Sequence, residues 1–356
     1  MQKLANELVT IIVDEYGSLE FIRRISDSFW FQALGCALGY DWHSSGVTTV
    51  VTGILKRAII PAEHGIAVCG GKGRVSRQTP FEIGNAGAEF GFSDDNIETL
   101  RYASRMSAKV DNAAIQAGYQ LYHHAFFVTE DMNWAVVQQG MCAEDRTARR
   151  YHWLSTNVKS YVVEPQNAIV GDAKREVALD MTAKESERCR KVSVDLSRER
   201  PEKLMRLIAP HRSAHERSLA EWLPATAENS MGARPIDLLS MPRSINWKTL
   251  SRAYEFQPRN YEELLAFKGI GPSTVRGLAL IAELVYGEKP SWKDPVKYSF
   301  AYGGKDGVPY PVDRKAMDES IEVLKQAIQD AKLGNKEKTA SLQRLRRFVP
   351  SDCTNS

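Results

Sequence analysis

Long apolar runs are missing from this 356-residue chain: no stretch approaches the roughly 18 to 20 uninterrupted apolar residues that a membrane-spanning helix requires. Mean hydropathy is −0.36, which points the same way. An excess of one charge is also missing, since 47 Lys and Arg stand against 44 Asp and Glu for a net +3. The chain as a whole therefore does not announce a nucleic-acid or membrane-surface binder by charge alone. Paired cysteines are absent too. Cys36, Cys69, Cys142, Cys189 and Cys353 are widely spaced, odd in number and contain no CxxC. That excludes a disulfide framework and a thiolate zinc site, and it fits a reduced compartment. No repeat of 20 to 50 residues occurs, which excludes solenoids. The first residues, MQKLANELVTIIVDEYG, read as an amphipathic helix without the n-region, apolar core and cleavage site of a secretory signal. These absences predict a cytoplasmic protein with no membrane partner.

What is present is a globular composition, 43% hydrophobic and 26% charged. At roughly 100 to 200 residues per domain the length predicts two or three domains. Residues 1–171 are dense in apolar and aromatic residues and read as an α+β domain. Helical spacing covers 3–13 and 19–38, and further helices are expected at 94–106 and 110–121. Residues 47–56 are β-branched without clean alternation, so strand and buried helix both stay open. Residues 65–71 read as a short strand entering the turn Gly70-Gly71-Lys72-Gly73. Apolar runs at 124–129 and 134–138 flank a hairpin turn at 130–133. Residues 172–240 carry mixed-sign charge runs and read as a helical linker. Residues 241–350 read as a mostly α unit.

That last unit holds the most informative motif. Leu264, Leu265 and Phe267 mark one amphipathic helix, Gly269-Ile270-Gly271 a hairpin, and Val275, Leu278, Ile281 and Ala282 a second helix. This is the pattern of a helix-hairpin-helix DNA-binding motif. Its glycines permit backbone geometry and close approach denied to other residues. The first N–H groups of the second helix, at Ser273 and Thr274, can then meet a phosphate oxygen. Lys268 before the turn and Arg276 after it add positive charge. Residues 241–350 contain 19 Lys and Arg against 13 Asp and Glu, an excess of +6, so the basic residues concentrate in this tail. The expected partner is double-stranded DNA, held through backbone phosphates without sequence readout.

Downstream, the phrase around Asp313 resembles the Val-Asp segment that carries the catalytic aspartate of helix-hairpin-helix glycosylases. It lies 42 residues after Gly271, farther than in those enzymes, and Ser273 stands where their bifunctional members keep a Schiff-base lysine. Capping of the helix that begins near Lys315 is the alternative role for Asp313.

The N-terminal region concentrates polar residues in short phrases: Asp41-Trp42-His43-Ser44-Ser45, Gly70-Gly71-Lys72-Gly73, Lys109 with Asp111, Tyr122-His123-His124, Arg149-Arg150-Tyr151-His152, and Glu164. Three chemistries draw on them. A lysine among apolar residues sheds its proton and attacks an aldehyde such as an abasic deoxyribose, with Lys56 and Lys72 as candidates. Asp41, His43 or His152 would serve as acid or base, and Arg150 would hold a phosphate. A divalent metal would take Asp41, His123, His152 and Glu164, although their spacing matches no recognised ligand motif. Gly70–Gly73 lacks the GxxxxGK[ST] order, which argues against nucleotide hydrolysis and for a turn whose N–H groups and Lys72 contact a DNA phosphate. A packed core with satisfied histidines and paired arginines is the structural alternative.

Taken together, the phrases SDSFWFQALGCALGYDWHSSGVTTV, GGKGRVSRQTP, QQGMCAEDRTARRYHWLS, FKGIGPSTVRGLALIAELVYG and PYPVDR resemble the prokaryotic domain-of-unknown-function family 763, from about residue 3 to 330. The resemblance implies a large N-terminal domain joined to a helix-hairpin-helix tail and a role in DNA metabolism. The expectation is a DNA-repair enzyme acting on damaged DNA, by lyase or glycosylase chemistry through a lysine Schiff base. A metal-dependent nuclease and a non-enzymatic DNA-structure binder are the alternatives.

Overall fold

The computed structural model describes residues 1–40, 46–208, 238–242, 244–299 and 314–348. At its centre is a mixed sheet in the order β1 (Ile66–Lys72), β3 (Gln120–Thr129), β4 (Trp134–Met141), β5 (Ala148–Leu154), β6 (Ala168–Gly171) and β8 (Tyr298–Ser299). All neighbours are antiparallel except β6 and β8. A small second sheet pairs β2 (Ile115–Gln116) with β7 (Leu179–Asp180). The fold is α+β, as expected.

Both faces of the main sheet are covered, so its strands alternate between two apolar cores instead of between core and solvent. Ala125, Phe127, Ala135, Val137 and Leu154 point to one core. It is closed by α1 (Gln2–Tyr16), α2 (Ser18–Ser26), α3 (Ser28–Ala37) and α4 (Val47–Ala58). Phe126, Val128, Trp134, Val136, Tyr151 and Trp153 point to the other. Over it lie α6 (Thr79–Glu89), α7 (Asp94–Lys109), α8 (Glu187–Ser197) and α9 (Pro201–Ile208), while the short α5 (Pro61–His64) precedes β1.

Two local expectations change. The helix expected over 19–38 is two helices, because the Asp27 backbone is extended and its carboxylate accepts from the N–H groups of Phe29 and Trp30, capping a new start. The helix expected over 110–121 does not form. After one π turn at Val110–Ala114 the chain enters β2 and then β3, its ladder bonds to β7, β1 and β4 outcompeting local helical spacing. Residues 47–56 resolve as helix, since Val47, Thr48, Val51, Thr52, Ile54, Leu55 and Ala58 fall on one buried face.

The charged run from 184 also has an inner side: Cys189, Val194, Leu196 and Leu204 are buried in the second core. Beyond it, α10 (Trp247–Phe256), α11 (Tyr261–Ala266) and α12 (Pro272–Tyr286) pack on the same side, with Leu250, Leu264, Val275 and Ile281 in that core. The last helices, α13 (Arg314–Asp330) and α14 (Asn335–Phe348), return to the opposite side. There Ile321, Leu324, Ile328 and Leu345 share a core with Leu8 and Phe31.

Candidate functional site

The turn between α11 and α12 is built as a tight backbone corner. Asn260 caps α11 by accepting from the N–H of Glu263 at 2.9 Å, and Ile270 is buried under the turn at 2% exposure. Gly269 has φ +101, and a Cβ there would lie 2.5 Å from the Thr249 hydroxyl, so this position requires glycine twice over. Gly271 is different: φ is −128 and a Cβ would enter open space. Nothing in the fold demands glycine there. Helix α12 begins with Pro272, carries no side-chain cap, and makes its first intrahelical bond from Val275 N–H to Gly271 O at 3.0 Å. The N–H groups of Ser273 and Thr274 thus precede the helical ladder.

Three side chains clamp this corner to the N-terminal half. The Tyr102 hydroxyl donates to Glu262 at 2.8 Å, the Lys109 ammonium to Phe267 O at 2.8 Å, and the Gln116 amide to Pro272 O at 3.0 Å. Between the corner and α7 runs a groove of about 870 Å³. Its walls include Arg105, Lys109 and Lys268, with Met106, Leu121 and Ile270 beneath them, and no carboxylate among the described residues. Lys109 is partly buried and forms none of the ion pairs among the described residues; desolvation brings its ammonium down to about 8.

A second polar feature crosses the face of the sheet covered by α4. Strand register places Lys72, His123, Gln139 and Arg150 side by side on β1, β3, β4 and β5. Lys72 is exposed at the strand end, 5.9 Å from the Tyr122 ring centroid. His123 is buried. Its Nε2 lies 2.9 Å from the Thr52 hydroxyl, whose own proton goes to Thr48 O at 2.8 Å. That assigns the Nε2–H tautomer, and Nδ1 keeps a lone pair with no partner among the described residues. Burial, then His124 and Lys72, drive the imidazole down to about 3.

On the opposite face, Asp111 is buried and forms none of the ion pairs among the described residues. It accepts from the amides of Gln166 (2.6 Å) and Gln138 and from Trp153 Nε1 (2.8 Å). Burial raises its carboxyl to about 7, against the lowering effect of those three bonds.

The structure redistributes the roles expected from sequence. Lys56 sits on α4 with both Glu82 oxygens at 2.7–2.8 Å and Gly70 O at 2.8 Å, so its proton-bearing nitrogen is fully engaged and it fastens α4 and α6 to β1. Arg150 is 1% exposed and spends its donors on His152, Gln32, Thr48 and Ser28 O, out of reach of a phosphate. His152 accepts from Arg150 and uses Nδ1 on Ile25 O at 3.1 Å. With both ring nitrogens occupied and burial holding it neutral, it is a packing and positioning group. Glu164 pairs with Lys184 at 2.9 Å on the surface, away from the buried histidines. Asp41, His43 and Asp313 lie outside the described residues. Among the described residues no three His, Cys, Asp or Glu side chains come together as metal ligands. Lys268 is exposed, Ser273 and Arg276 are half-buried, and Thr274 is buried. Sequence reading passed over Arg105 and the hairpin-facing position of Lys109. Their four-residue spacing on α7 was the available signal.

Fold and site together define an α+β protein with a doubly covered sheet and a cation-lined groove at a glycine corner. The chain belongs to the family described as Protein of unknown function (DUF763), which matches residues 1–312. No curated protein and no solved structure matches it.

Proposed function

We propose that this protein binds double-stranded DNA through its phosphate backbone, using α11, the Gly269–Gly271 corner and α12 as a helix-hairpin-helix, and that it acts on damaged DNA. The observation that carries the reading is the groove beside the corner, with three cations and no carboxylate on its walls among the described residues. Phosphodiester is the chemistry that complements it. The N–H groups of Ser273 and Thr274 supply donors aligned with the helix dipole, and Lys268 and Arg105 supply charge. Open space at Gly271 lets a sugar-phosphate backbone approach the peptide plane. Such contacts recognise DNA in general and no particular sequence.

Fluorescence anisotropy with labelled duplexes of unrelated sequence tests this. Lys268→Ala and Arg105→Ala should each weaken binding to every duplex about equally and reduce the steepness of the salt dependence by about one counterion each. Affinity that ignores both substitutions, with circular dichroism unchanged, sinks the reading.

A further inference from the structure

The lysines of this chain differ in what holds them. Lys56 is spent on a bidentate ion pair and a carbonyl. Among the described residues Lys109 makes a single hydrogen bond, to Phe267 O at 2.8 Å, and lies on the wall of the corner groove with no acidic side chain lining that space. One N–H directed at a backbone carbonyl fixes the position of the nitrogen, and the remaining valences of a neutral amine stay available. Met106, Leu121 and Ile270 form an apolar surround that disfavours the charged ammonium, and Arg105 and Lys268 face the same groove. Desolvation alone brings Lys109 down to about 8, so roughly a tenth of it is neutral at pH 7, far more than for an ordinary lysine.

We propose that Lys109 is an amine nucleophile for an aldehyde carried on the DNA backbone, the ring-opened C1′ of an abasic deoxyribose held in this groove. This rests on the DNA-binding reading above and adds a covalent step to it. The Lys109 Nζ lone pair forms a bond to C1′, and the carbonyl π electrons move to oxygen, which takes up a proton. The neutral carbinolamine takes a second proton from solvent onto that oxygen, and the Nζ lone pair expels it as water, leaving a protonated imine between Nζ and C1′. Borohydride, added as the reductant, delivers hydride to C1′ and fixes the link as a secondary amine. Arg105 and Lys268 would hold the flanking phosphates while the apolar floor raises the neutral fraction of the amine.

The test uses the full chain and a duplex with one abasic site, with and without sodium borohydride. The expected result is a covalent protein–DNA species only with borohydride, and peptide mass spectrometry placing the added mass on Lys109. Lys109→Arg preserves the charge and the donor to Phe267 O. At equal occupancy of the abasic duplex, set by anisotropy for each protein, it should lose at least about 90% of the trapped species. Lys56→Ala and Lys72→Ala should both keep it. Trapping that survives in Lys109→Arg, an adduct mapped to another lysine, or normal DNA binding by the wild type without any adduct overturns the assignment. Absence of DNA binding by the wild type overturns the underlying reading as well, and the anisotropy arm separates the two failures.

Discussion

Asp111 and the buried histidines face opposite pH problems. A carboxyl raised from 3.8 to about 7 by burial stabilises the fold while it is protonated, and that contribution is lost as pH climbs from about 4 through 7. The stability advantage of wild type over Asp111→Asn should therefore be larger at pH 4.5 than at pH 8. The difference amounts to on the order of 1 kcal/mol or more, read from thermal or urea midpoints. A constant difference would show that Asp111 is ionised in the folded chain. His123, His124 and His152 are all held below the ordinary imidazole value by burial. Depressed imidazoles stabilise above about pH 6.5, and their contribution is lost as pH falls toward 3, because the unfolded chain takes up the protons. The urea midpoint should fall between pH 7 and 5, and His123→Gln should flatten that fall. Equal slopes for variant and wild type would contradict the burial of a neutral His123.

At the scale of the element, the two glycines of the corner separate folding from binding. Gly269→Ala places a Cβ against Thr249 at a left-handed backbone position, and should cost about 1 to 3 kcal/mol of stability. Gly271→Ala adds a methyl group to open space at an ordinary φ, and should leave the thermal midpoint within about 2 °C. If a phosphate backbone docks there, the same methyl group should weaken DNA binding by about tenfold across all sequences. A Gly271→Ala variant that is fully stable and binds normally would place the DNA elsewhere. The clamps from Tyr102, Lys109 and Gln116 explain why this corner is a fixed platform: each ends on a group of α11, the turn or the first residue of α12.

For the molecule as a whole, the two ends of the chain complete one core. Ile321, Leu324, Ile328 and Leu345 lie in the core that holds α1 and α3. Burying each such side chain is worth roughly 1.5 to 3 kcal/mol, so their sum rivals the roughly 5 to 15 kcal/mol stability of a typical domain. A chain shortened to residues 1–313 should lose most of its cooperative thermal transition and bind a hydrophobic dye. A sharp transition near the full-length midpoint would show that α1 to α4 close without α13 and α14. Net charge is a poor guide at this scale, because +3 averages a basic tail with a slightly acidic remainder. The groove's charge is assembled from both, with Arg105 and Lys109 from the N-terminal part and Lys268 from the tail.

Sequence by itself determined the features whose cause is local. The glycine corner with Ile270 beneath it, the period of the amphipathic helices, the Thr129–Trp134 hairpin and the α+β composition all follow from residue type and spacing. Tertiary structure alone decided what distant segments do to one another. The helix read over residues 110–121 gave way to strands because Ile115 and Gln116 pair with Asp180 and Leu179, and Gln120 and Leu121 with Met141 and Gly140. Lys56, Arg150 and His152 carry reactive groups in sequence, but the fold gives each a complete set of partners, and a side chain's partners are not written beside it. Lys109 is the converse case: an ordinary helical lysine in sequence, it meets the cation-lined groove and its apolar floor only when the corner at residues 267–272 packs against α7. Burial and pairing set the reactivity of an ionisable group, and both are properties of the folded chain.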